Sequence, residues 1–196
     1  MATRAEARQA SRDKVLASAR VLFQERGFSG TTVRDIAADA GVSVGTVMSV
    51  GDKGQLLVQI FDDAVESVHA RRAEQKVPAS NQASGPVQRI LTLLSPFVRL
   101  FLEQRELARE YAAILMSGNH SSAIFEDLAQ TLREEFAAEL KSAGMNREDA
   151  NSAAEVLHLS YLGSLFAWSA GPEITEEAAL ESLRPAFAFI LNTCKA

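Results

Sequence analysis

Apolar residues recur along this chain at helical spacing, and no stretch shows the alternation of a half-buried strand. Val15, Leu16, Ala19, Leu22 and Phe23 share one face, and Gly27 stands where a helix would end. Val33, Ile36, Ala37 and Ala40 make a second, shorter face that stops at Gly41. Residues 43–50 read as a helix of about two turns, too short to be stable alone. A longer face follows with Leu57, Ile60, Phe61, Ala64 and Val68, running to about Gln75.

The stretch VPASNQASGP, residues 77–86, is small, polar and bounded by prolines, so it reads as a connector. Beyond it Val87, Ile90, Leu91, Leu94, Val98 and Phe101 share a face, with Pro96 expected to kink or interrupt the helix. Helices are also predicted over 106–116, over Phe125–Gly144, from the Asn146/Asp149 cap to Trp168, and over Leu180–Leu191. Pro185 should bend the last. The pattern predicts an all-α fold of about nine helices. The connector marks a boundary: a head at 1–53 and a helix at 54–76 precede a helical domain at 77–196.

The head has the chemistry of a grip on nucleic acid. Thr32 can cap the second helix with Asp35 three residues on, and Ser43 can cap the third. Gly41 suits the left-handed turn between two crossed helices. Val47 and Val50 would then pack on Ile36 and Ala37, the helix-turn-helix arrangement whose second helix enters a major groove. On that helix Val44, Thr46 and Ser49 would face outward, and Gly45 would let backbone approach the duplex. Thr46 suits a base edge or a thymine methyl. Asp52 caps the next helix, with Lys53 adding a full charge to its positive end, while Thr32 and Arg34 form a second phosphate clamp.

Composition adjusts this reading only slightly. The chain of 196 residues is 47% hydrophobic, enough for a core, with a net charge of −5. Residues 1–53 carry eight Lys/Arg against six Asp/Glu, and the remainder twelve against nineteen, so what positive balance exists lies in the head. The polar start MATRAEARQASRDK leads into no apolar signal region, and the apolar runs are too short to span a bilayer. A cytoplasmic protein without a membrane partner is expected. The single cysteine, Cys194, suits a reducing compartment. His69, His120 and His158 show no metal spacing, and no catalytic motif is visible, so neither an enzyme nor a cofactor is expected.

The segments LFQERGFSGTTVRDIA and AGVSVGTV, followed by DKGQLL, resemble the DNA-binding head of the TetR (tetracycline-repressor-like) family over residues 11–68. Met48 stands where that family usually has tyrosine, and Lys53 lies one residue nearer Gly45 than is usual. The resemblance implies DNA contacts from Thr32, Arg34, Ser43, Gly45, Thr46 and Lys53. It also implies a homodimer and a helical ligand-binding domain. The expected function is a repressor released from a palindromic operator by a small molecule; the alternative is a small-molecule-binding or interaction protein with a weakened head. For the effector, an apolar cavity is expected from Phe101, Tyr111, Met116, Phe125, His158 and Tyr161. The last two helices, with wide apolar faces and small residues, are expected to form the homodimer interface.

Overall fold

A computed structural model of the chain describes residues 3–74 and 85–193, apart from the side chains of Ala73 and of residues 123–125. Among the described residues there are nine helices and no strand. They are α1 (Arg4–Arg26), α2 (Val33–Asp39), α3 (Val44–Val50), α4 (Lys53–Glu74) and α5 (Pro86–Glu103), then α6 (Arg105–Met116), α7 (Ala123–Ser142), α8 (Arg147–Ala170) and α9 (Glu176–Thr193). The connector lies outside the described residues as far as position 84, as do Gln75 and Cys194.

The caps fall where the sequence puts them. Thr32 closes a full capping box with Asp35, Ser43 accepts the N–H of Thr46, and Asn146 accepts that of Asp149. Gly27 and Gly41 have φ of 72° and 65°, the left-handed region that side-chain-bearing residues avoid. Neither Pro96 nor Pro185 interrupts its helix. Each removes one backbone hydrogen bond, but Leu94, Phe97 and Val98 around the first, and Leu183 and Phe187 around the second, are buried. Packing of these neighbours holds both helices through the missing bond.

The chain forms two compact units. The first is Met1–Ala64 with Gln104–Ser122 and the second is Val65–Glu103 with Ala123–Ala196. The first unit thus takes in the opening half of α4 and all of α6. Phe61 on α4 stacks on Tyr111 of α6 with ring centroids 4.8 Å apart. Asp62 accepts hydrogen bonds from the Tyr111 hydroxyl at 3.1 Å and the Ser122 hydroxyl at 2.7 Å. The core of the second unit joins Val65 and Val68 of α4 to apolar faces of α5, α7, α8 and α9.

Candidate nucleic-acid interface and effector pocket

Three helices hold the head together. Val15, Ala19, Leu22 and Phe23 of α1, Ile36 and Ala37 of α2 and Val47 of α3 are buried. Burying Val47 fixes which side of α3 faces out, because a seven-residue helix turns only twice. The exposed side carries Val44, Gly45, Met48 and Ser49. Val44 and Met48, four residues apart, form an apolar strip, and Met48 is 51% exposed. Met48 therefore points outward from the position where the family usually carries tyrosine.

The hydroxyls of α3 are partly spent within the helix. Ser43 Oγ and Thr46 Oγ1 share a hydrogen bond at 2.9 Å, and Ser49 donates to the Thr46 carbonyl at 2.7 Å. Thr46 is only half-exposed. Gly45 is open: a Cβ there would meet nothing nearer than Ser43 Oγ at 3.7 Å. Nothing within the chain demands a glycine at this place.

At the start of α2, Thr32 is exposed, but its N–H donates to Asp35 Oδ2 at 2.9 Å and its hydroxyl to the same oxygen at 2.6 Å. The Thr32 hydroxyl holds the Asp35 carboxyl below its usual range, so this helix start already carries a negative charge. Arg34 is exposed beside it. Lys53 has partners within the head. Its ammonium donates to the carbonyls of Phe28 at 2.9 Å and Thr31 at 3.1 Å, and lies 4.2 Å from the centre of the Phe28 ring. Thr31, fully buried, donates its hydroxyl to the carbonyls of Leu22 and Gly27. Lys53 and Thr31 together tie down the loop between α1 and α2.

Of the six residues expected around an effector, five have described side chains, and these divide between the two units. Phe101, His158 and Tyr161 come together in the second unit, with Phe97, Leu132 and Leu165, around an apolar cavity of only about 20 Å³. Burial pushes the His158 imidazole down to about 4, so the ring is neutral near pH 7. Burial also raises the Tyr161 hydroxyl, which stays protonated. Tyr111 is instead in the first unit, bonded to Asp62, and Met116 on α6 is 75% exposed. The side chain of Phe125 lies outside the described residues. Periodicity placed Tyr111 and Met116 in one helix, but it does not say which neighbour that helix meets.

Among the described residues no group of His, Cys, Asp and Glu is disposed to hold a metal ion, and no helix is long and apolar enough to cross a membrane.

Residues 15–49 match the family model for bacterial regulatory proteins of the tetR family. The head is similar to that of tetR-family bacterial regulatory proteins. The match covers α2 and nearly all of α3, together with the half of α1 that packs on them. Solved structures extend the likeness to the whole fold. RolR, solved in complex with resorcinol, is 20% identical over 97% of this chain and 96% of its own, with a TM-score of 0.67. A transcriptional regulator from Rhodococcus sp. Rha1 is 19% identical over 94% and 98%, with a TM-score of 0.63. Thermus thermophilus FadR, a TetR-family repressor solved with lauroyl-CoA, is 23% identical over 92% and 93%, with a TM-score of 0.59. No curated protein matches the chain in sequence. At these identities the TetR-type fold is what the structures share with this chain.

Proposed function

We propose that this chain is a ligand-responsive transcription regulator: a repressor that binds a palindromic DNA operator through α2 and α3 and is released by a small molecule. The carrying observation is α3 itself. It is too short to persist alone, is anchored by Val47, and keeps Val44, Gly45, Met48 and Ser49 exposed. A helix held this way serves to present a face, and the match at residues 15–49 says to what. Arg34 supplies charge next to it, and the exposed strip of Val44 and Met48 suits thymine methyl groups.

The effector reading rests on the cavity at Phe97, Phe101, His158 and Tyr161. A ligand there must open the cavity, and it changes DNA affinity only if it favours one of two arrangements of the chain. Lauroyl-CoA and resorcinol, bound by FadR and RolR, show how widely such ligands vary on this fold. A homodimer completes the reading. On α8 Val156, Leu159 and Phe166, and on α9 Phe189, are large apolar side chains left exposed on one protomer. Pairing α8 and α9 with their copies about a two-fold axis covers them and supplies two reading helices for two half-sites.

Fluorescence anisotropy on a duplex from the region upstream of the chain's own gene, against a scrambled duplex across a salt series, tests the reading. Preference for the first of at least about a thousandfold, with affinity falling as salt rises, is the expected result. Equal binding to both, or to neither, refutes it.

A further inference from the structure

His158 and Tyr161 are the polar side chains in the wall of the apolar cavity of the second unit. They stand one helical turn apart on one face of α8, and each is only 3% exposed. Among the described residues, neither the imidazole nor the Tyr161 hydroxyl has a hydrogen-bond partner. Their polar atoms are not sealed in the interior as His69 Nε2 is; they open on the cavity. The rest of the wall is apolar, with Phe97, Phe101, Leu132 and Leu165 among its side chains. A hydroxyl and an imidazole without partners in such a setting are costly unless something satisfies them. The void is about 20 Å³, room for about one water molecule, so an organic ligand enters by displacing side chains. Leucines such as Leu132 and Leu165 change rotamer without breaking a hydrogen bond.

We propose that this cavity takes an uncharged, apolar small molecule bearing a hydroxyl group, and that the hydroxyl is held between His158 and Tyr161. The inference rests on the effector reading and narrows it to a class of ligand. A neutral imidazole has one nitrogen that donates and one that accepts, and the tyrosine hydroxyl does both. A ligand hydroxyl therefore donates to one of the pair and accepts from the other, whichever nitrogen faces it. A carbonyl oxygen only accepts, and so suits one tautomer alone. Charge is unwelcome in either sign. No carboxylate, guanidinium or ammonium is in the described lining. Arg72 and Arg133 act on the pair from outside it, the first giving Nη2 to Glu135 at 2.8 Å and the second giving Nη2 to Gln130 at 2.9 Å. An ion in the cavity has no counter-charge in contact to offset its loss of water.

Isothermal titration of the full chain with matched probes decides the matter: phenol against toluene, cyclohexanol against methylcyclohexane, and the ions benzoate and benzylammonium. At least one hydroxyl compound should bind, about tenfold or more tightly than either ion. In Tyr161→Phe the affinity for that compound should fall about tenfold, while that for its hydrocarbon should not fall, because only the hydroxyl loses a partner. The same variant should melt no lower than the parent, since the fold itself loses no hydrogen bond. His158→Leu is the second variant, informative even if Tyr161→Phe does not fold, and should weaken the hydroxyl compound severalfold. Unchanged affinity in either folded variant, a fall shared by the hydrocarbon, or an ion bound as tightly as the hydroxyl compound refutes the site. Binding of none of the six probes also overturns it, and release of operator DNA by other small molecules then judges the effector reading separately.

Discussion

The ammonium of Lys53 lies 2.9 Å from the Phe28 carbonyl oxygen and 4.2 Å from the centre of the Phe28 ring. A lysine that the sequence marks as a phosphate ligand thus spends at least two of its three N–H bonds inside the head, with a ring beneath it. Lys53→Met keeps the stem and removes the donors. It should destabilise the head by about 1–3 kcal/mol, read by urea denaturation, because two loop carbonyls lose a charged partner. The salt dependence of DNA binding should change by less than one unit. A full unit of lost slope with stability unchanged would return Lys53 to the phosphate backbone.

Gly45 gives the opposite combination. A methyl group there meets only Ser43 Oγ at 3.7 Å, so Gly45→Ala fits the folded chain. Alanine favours helix over glycine by about 1 kcal/mol, and the variant should melt no lower than the parent. Operator affinity should nonetheless drop about tenfold or more, because the added methyl stands on the face offered to the duplex. Unchanged affinity in the anisotropy titration would mean that α3 does not approach DNA along Gly45.

The exposed apolar residues of α8 and α9 allow a test of assembly that leaves the core alone. Leu159 is 59% exposed and Phe189 70% exposed on one protomer. Leu159→Glu and Phe189→Glu therefore cost the isolated protomer little. Across a two-fold axis each places a carboxylate against its own copy in an apolar setting. Light scattering at micromolar concentration should give a dimer mass for the parent and a monomer mass for the double variant. A monomeric parent would defeat the assembly reading outright.

The elements and caps of this fold were legible in the sequence because they are local. Thr32, Ser43 and Asn146 act on residues three positions away, and Gly27 and Gly41 on their own backbone. Partners across helices were less legible. The helix holding Tyr111 was visible, but its stacking on Phe61 and its bond to Asp62 depend on how α6 folds back. The roles of Lys53 and Arg72 were equally hidden, since a long cationic side chain reaches residues 25 or 63 positions away in the chain. Met48 was legible as a departure from the family pattern, and the structure adds its direction.

His158 makes stability depend on pH in a definite sense. Its ring is buried in an apolar pocket, and its affinity for a proton drops from the ordinary value near 6.5 to about 4, because burial disfavours the imidazolium and Arg133 repels it. His69 shifts the same way, first through burial and then through Arg72. In the unfolded chain both rings regain ordinary affinity. Between roughly pH 6.5 and 4 the unfolded state therefore binds more protons than the folded one, and stability falls as pH falls through that window. Above it both states are neutral at these rings and the contribution is flat. The loss from His158 is at most about 3 kcal/mol, accumulated by pH 4. His158→Leu removes the titration and keeps an apolar side chain in the pocket. Urea midpoints for the parent should decline steeply from pH 6.5 to 4.5, and those of the variant less steeply. Parallel declines in the two proteins would mean that His158 is not held neutral by its pocket.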